Sequence, residues 1–374
     1  MVSGLLYVGT HRRAHRADPL DVAFGVYVLR LDADSGAFTC LDMAATPQPG
    51  WLAMRPGGRC LYAVNEVRDF DGSGGGVSAF AISPAGTLTA LNTRRTGAMP
   101  CHCEVDASGR FLLVATNGGG TVHLFPLAAD GRIEPEADCH RHRGSSLHPR
   151  RQSSPHAHAV TIDPANRFVL VPDLGTDQIV VYELDGQGGK LIPRPDRNVS
   201  LPPGSGPRHL AFGAGASRVY LINELSATIT AFRYDARDGA LQALQTADTL
   251  PQGFAGLRSG AEIAVHPSGR FLYASTRSHG SSGEPPVRGL DSIVWFAIDP
   301  DDGTLQPAGS IPSGGEIPRT IAFDASGEWL FVGHQASGSI VLFRIDPRDG
   351  TPTPTGGAIS TPVPVCLTFI GAEP

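Results

Sequence analysis

What the chain lacks narrows the possibilities first. Among its 374 residues no apolar run approaches the roughly 20 residues that a membrane-spanning helix needs. No segment carries a convincing amphipathic helical period, which leaves strands as the building material. Cysteine is sparse, and the six present (Cys40, Cys60, Cys101, Cys103, Cys139 and Cys366) show none of the spacing of a disulfide framework. Charge is modest: 36 acidic against 30 basic residues gives a net −6 with no basic stripe, so neither a nucleic-acid nor a membrane partner is expected. The opening residues, MVSGLLYVGT, lack the basic and apolar regions of a signal peptide, and with reduced thiols they predict a cytoplasmic protein. No linker interrupts the chain, so residues 1–374 are expected to form one domain.

Glycine and proline, by contrast, are abundant at 46 and 31 residues, and they punctuate a repeated phrase. HPSGRFLYAS, from His266 to Ser275, recurs as RPGGRCLYAV from Arg55, DASGRFLLVA from Asp106, DPANRFVLVP from Asp163 and DASGEWLFVG from Asp324. A weaker copy, GAGASRVYLI, starts at Gly213. The central residues Gly58, Gly109, Asn166, Ala216, Gly269 and Gly327 are spaced by roughly 50 to 58 positions, the size of a four-stranded propeller blade. Each unit reads as three apolar, strand-length runs separated by turn formers, then a Gly turn and a fourth run. Asp-x-x-x-Gly turns at Asp299 and Asp346 suit the reversal between third and fourth strands.

The chain ends set the blade count. Leu5–Thr10 matches a second strand and Gly25–Leu31 a third, while Pro364–Ile370 matches the first-strand run Pro318–Phe323. The C-terminal strand is therefore expected to complete the N-terminal blade and close the ring. The fold class that follows is an all-β, seven-bladed β-propeller of four-stranded blades.

In such a ring two positions per blade converge on one mouth of the channel: the start of the innermost strand and the end of the second. The first series is Gly50, Cys101, His158, Arg208, Ala261, Arg319 and Val365. The second is His11, Glu66, Asn117, Leu174 with its neighbour Asp173, Glu224, Arg277 and Gln335. Several Arg at one opening suit an anionic small molecule, because guanidinium binds phosphate or carboxylate through two parallel bonds. A His and a Glu among them supply a general base and acid. Strand alternation places His156, two residues before His158, toward the same mouth.

Four phrases carry a resemblance: SGPRHLAF (Ser205–Phe212), YLINELSATITAF (Tyr220–Phe232), HPSGRFLYASTR (His266–Arg277) and PRTIAFDASGEWLFVGHQASGSIVLFRID (Pro318–Asp346). They resemble the lactonase family of seven-bladed propellers, which includes bacterial 6-phosphogluconolactonases and fungal 3-carboxy-cis,cis-muconate lactonising enzymes. The resemblance covers nearly the whole chain and implies hydrolysis of a phosphorylated sugar lactone without cofactor or metal. It also implies a catalytic His158, two functional arginines, Arg208 and Arg277, and an acidic partner, Glu224. His156, Arg319, Gln335, Glu66, Asp173, Asn117 and His11 are then candidate substrate contacts. Two alternatives use the same chain differently: a muconate cycloisomerase, with the arginines on carboxylates, and a non-catalytic binding scaffold.

Other signals are weaker. Cys139, His140, His142, His148, His156 and His158 cluster in sequence but match no tight zinc spacing. Gly118–Gly120 lacks the Lys and helix of a phosphate loop and reads as a turn, and Cys101 and Cys103 as buried thiols. Three segments, 11–24, 138–154 and 278–289, are expected as surface insertions near the mouth that tune substrate choice.

Overall fold

A computed structural model describes residues 4–11, 25–31, 38–69, 72, 74–278 and 289–370. They form seven antiparallel sheets, of which six have four strands; a short extra strand, Val199–Ser200, makes the remaining one five-stranded. We number the blades in chain order. In blade 1 the C-terminal strand Pro364–Ile370 lies innermost and pairs with Leu5–Thr10, followed outward by Gly25–Leu31 and Phe38–Ala45. The ring thus closes as the ends of the sequence require.

One hydrophobic cluster fills each interface between adjacent blades, making seven in all. Strand alternation produces this directly. In the blade 6 strand Phe271–Thr276, Leu272 and Ala274 pack toward blade 5, whereas Phe271 and Tyr273 pack toward blade 7. Middle strands are largely apolar because both of their faces are covered. The Tyr of the repeated phrase adds a polar clamp: the Tyr62 hydroxyl donates to the Gly131 carbonyl (3.0 Å) and that of Tyr220 to Gly303 (3.0 Å), each on the next blade.

The repeated phrase is a tight turn. All six central residues have positive φ, from 55° at Ala216 to 73° at Gly327. Glycine meets this requirement at four of them without steric cost, and Asn166 tolerates it. The leading Asp caps the turn: Asp106 Oδ1 accepts the backbone N–H groups of Arg110 (2.8 Å) and Phe111 (2.7 Å), and Asp163 does the same for Arg167 and Phe168. The Asp299 and Asp346 turns close as expected, through Gly303 and Gly350.

Two expectations need revision. Asp138–Arg141 is not inserted loop but the outer strand of blade 3, paired with Thr121–Pro126, so the inserted segment begins at His142. The innermost strand of blade 4 is regular only over Thr161–Ile162, with an isolated bridge from Ala157 to Asp173 before it. Residues 12–24 and 279–288, which make up most of the other two segments, lie outside the described residues.

Candidate active site

Every innermost strand carries a β-bulge, and the bulge falls at the first of the two converging positions. Pairing skips Gly50, Cys101, Arg208 and Arg319, and also Val365 opposite the Gly9/Thr10 shift. One extra residue likewise sits between Gly260 and Ile263 in blade 6, and between the Ala157 and Thr161 pairings in blade 4. Five of the seven are preceded by proline (Pro49, Pro100, Pro207, Pro318 and Pro364), which has no N–H for the ladder and is tolerated at a strand start or bulge. A bulge bends the strand and redirects side chains, here into the channel.

A hydrogen bond repeated in all seven blades ties the second series to the first. The backbone N–H groups of His11, Glu66, Asn117, Leu174, Glu224, Arg277 and Gln335 donate to the carbonyls of Val363, Gln48, Met99, His156, Gly206, Ser259 and Ile317 respectively, over 2.6–3.1 Å. Each acceptor lies two residues before the bulge residue. The two series therefore form one polar collar.

Within the collar, Glu224 is the hub. Its Oε2 is 3.2 Å from Arg208 Nε and 3.1 Å from Arg277 Nη2, and its Oε1 accepts from Arg151 Nη2. His158 Nε2 stands 4.0 Å from the same Oε2, and its Nδ1 has no hydrogen-bond partner among the described residues. Burial together with the positive charge of Arg208 holds the His158 imidazole well below its ordinary pKa, so it is neutral at physiological pH. Burial also depresses Arg277; Glu224 opposes this, while the crowding of Arg208, Arg319 and Arg151 reinforces it. The guanidinium keeps its charge regardless, so that crowding is repulsion which an entering anion relieves.

A second group lies beside the first. Glu66 Oε2 is 3.2 Å from both Arg319 Nη2 and His11 Nε2. Burial by itself raises the Glu66 carboxyl, but Arg319 and His11 outweigh it and hold the group at about 2. Gly50 makes room for this carboxylate, since a Cβ there would lie 2.3 Å from Glu66 Oε2.

The remaining candidates are placed differently. Asp173 is fully buried among protein donors: it pairs with His142 (2.6 Å) and accepts the N–H groups of His156, Gly175 and Thr176. It is a loop anchor, because a carboxylate without solvent needs that many donors. His156 Nδ1 is bonded to the Asn117 carbonyl (2.7 Å), joining blades 3 and 4. Asn117 itself takes part through its backbone, and Gln335 is half-buried at the rim.

Sequence reasoning missed Arg151 and four residues of the innermost strands. Trp51, His102, His209 and Glu262 each follow a bulge residue and form a second layer below the collar, with His102 stacked on Trp51 (4.3 Å) and His209 5.3 Å from His158. His209 Nδ1 lies 2.7 Å from Glu262 Oε1. Arg208 Nη1 is 3.2 Å from both ring nitrogens of His209, a geometry of stacking on the ring. Burial lifts Glu262 to about 7, Arg208 opposing, and burial with the adjacent Arg208 keeps His209 neutral. The missed signal for Trp51, His102 and His209 is proline followed two residues later by an aromatic or His; Glu262, two residues after Gly260, lacks it. Arg151, on the segment between blades 3 and 4, had no signal beyond the Arg-rich composition of that stretch.

Of the sequence-clustered metal candidates, His140 pairs with Asp138 and His142 with Asp173. Cys139 instead stands beside His123 and Glu136, their donor atoms within 4.8 Å of one another. His123 Nε2 accepts the Gly97 N–H, which puts the proton of the neutral ring on Nδ1, facing Glu136.

Comparison with known proteins agrees with this architecture. The chain is 31% identical to the 6-phosphogluconolactonase of Bacillus subtilis over 97% of both sequences. It is also 31% identical to that of Pectobacterium carotovorum, over 86% of this chain and 87% of the other. The solved Pseudomonas aeruginosa periplasmic gluconolactonase superposes with a TM-score of 0.89 at 30% identity, covering 100% of each chain. Residues 5–369 match the model of the family described as lactonase, 7-bladed beta-propeller. With seven closed blades and a match across nearly its whole length, the chain belongs to the lactonase family of seven-bladed β-propellers.

Proposed function

We propose that this protein hydrolyses a phosphorylated sugar lactone, 6-phosphogluconolactone, to 6-phosphogluconate. One observation carries the reading: a neutral, buried imidazole stands 4.0 Å from a carboxylate on which three guanidiniums converge. Four arginines, Arg151, Arg208, Arg277 and Arg319, face Glu224 and Glu66, so among the described residues of the collar positive charge is in surplus even with Glu262 counted as ionised. A surplus of that kind favours an anionic substrate. The names of the relatives from Bacillus subtilis and Pectobacterium carotovorum point to the same lactone.

In the mechanism we infer, His158 takes a proton from water as the water oxygen bonds to the lactone carbonyl carbon. Glu224 orients that water, its oxygens being already engaged by arginines and so less suited to act as base. Arg277 and Arg208 stabilise the oxyanion of the tetrahedral intermediate from a site closed to bulk water. The bond from carbonyl carbon to ring oxygen then breaks, and the imidazolium returns its proton to the departing ring oxygen. No redox step or cofactor is required for this sequence.

Lactone opening followed with 6-phosphogluconolactone, corrected for spontaneous hydrolysis, tests the proposal. Turnover of a carboxymuconate in its place would favour the cycloisomerase alternative, and turnover of neither would favour a scaffold. We also place the protein in the cytoplasm, a reading supported by its six unpaired cysteines, two of them exposed.

A further inference from the structure

Among the four arginines of the collar, Arg151 is unlike the rest. Arg208, Arg277 and Arg319 have side chains only 2%, 3% and 15% exposed, whereas that of Arg151 is 37% exposed. The other three are buried where they pair: Arg208 with Glu224, the Ala261 carbonyl and the face of His209, Arg277 with Glu224 and, at 3.5 Å, the Ser259 hydroxyl, and Arg319 with Glu66. Arg151 spends one N–H group on Glu224 Oε1 and makes no other side-chain hydrogen bond among the described residues. Its guanidinium fork thus keeps an unused donor edge.

The segment that carries Arg151 is built to hold it there. His142 is buried, with Nδ1 2.6 Å from Asp173 and Nε2 3.0 Å from the Tyr182 hydroxyl. Gln152, fully buried, donates to the Leu174 carbonyl (2.9 Å) and accepts the His148 N–H (3.0 Å). His148 Nδ1 in turn accepts the backbone N–H of Arg151 itself (3.2 Å). Buried polar anchors on both sides of an exposed Arg pre-organise it, and a pre-organised donor loses little entropy when a ligand arrives.

The substrate has two sites of negative charge to satisfy. The oxyanion forms at the carbonyl carbon, while the phosphate hangs from an exocyclic carbon, separated from the carbonyl by the ring oxygen and one ring carbon. The deep arginines, on Glu224 Oε2 beside His158, are in place for the oxyanion. A phosphate beside it needs a neighbouring guanidinium nearer the opening, reached across the same carboxylate, and Arg151 on Oε1 has that position.

We infer that Arg151 is the specificity-determining residue that binds the substrate phosphate and selects phosphorylated over unphosphorylated lactones. This rests on the lactonase reading. The test compares kcat/KM for 6-phosphogluconolactone and for glucono-δ-lactone in the unaltered protein, R151Q and R151K, with thermal unfolding as a check on folding. In R151Q the ratio of the two values should fall at least tenfold, chiefly through KM for the phosphorylated lactone, as expected for losing a charge-assisted bidentate contact. R151K should recover part of the loss by restoring charge without the fork. Competitive inhibition by inorganic phosphate should weaken in parallel. An unchanged ratio in an active R151Q protein would overturn the role of Arg151 alone. Failure of the unaltered protein to open either lactone would overturn the reaction itself, and the specificity assignment with it.

Discussion

His158 Nε2 stands 4.0 Å from Oε2 of Glu224, too far for a direct hydrogen bond and close enough for one water molecule to touch both. The acid limb of the pH profile should therefore report His158. Its neutral form is the base, and its pKa lies well below 6.5, so kcat/KM should stay level as pH falls toward 6.5 and drop only in more acid solution. His158→Gln should lower kcat by about 10² to 10⁴ and remove that limb. An acid limb centred at or above 6.5 in the unaltered protein would contradict the assignment.

Arg208 is both an oxyanion donor and a brace for Glu224. Arg208→Ala should reduce kcat by about 10² to 10³, the usual cost of one such donor. Arg208→Lys should recover little, because a lysine cannot reach Glu224 and the Ala261 carbonyl while stacking on His209. Circular dichroism identical to the unaltered protein is needed alongside. Full activity in a folded Arg208→Ala protein would remove Arg208 from the machinery.

Gly50 is a bulge residue whose missing side chain admits Glu66. Gly50→Ala should push the carboxylate off Arg319 and His11. The folded-state pKa of Glu66, about 2, is below its ordinary 4.5, so the pair contributes stability above pH 4.5 that is lost as pH falls toward 2. Denaturant unfolding should find the variant less stable by up to about 3 kcal/mol at pH 7, with the gap closing below pH 4.5. A gap independent of pH would mean that strain, and not the ion pair, is what the substitution changes.

Ala216 occupies, at φ 55°, a turn position where four of the other five copies of the phrase have glycine. A left-handed conformation costs a residue with a side chain roughly 1–2 kcal/mol, part of which glycine gives back through the unfolded state. Ala216→Gly should therefore stabilise the protein by about 1 kcal/mol, read as a higher denaturant midpoint at unchanged slope. Destabilisation would show that the side chain packs more than its half-buried position indicates.

Much of this molecule was legible in advance because its information is local and periodic. The phrase marks a turn, the turn sets the strand register, and alternation along a strand then decides which residues reach the channel mouth. His158, Arg208, Glu224 and Arg277 fell on converging positions for that reason. Asp173 is one residue before the collar position, which Leu174 holds, so the same alternation turns its carboxylate away to His142.

By itself, then, the sequence determined the number of blades, the closure of the ring by Pro364–Ile370 and the two series of positions at its mouth. Only the tertiary structure decided which of those residues pair. Arg151 meets Glu224 across 73 residues of chain, through a loop path that no periodicity describes. The layer of Trp51, His102, His209 and Glu262 exists because bulges shift the alternation by one, which aims consecutive side chains into the channel. Register is written along a strand, whereas the partners of a buried charge are set by whichever donors the closed ring brings within reach.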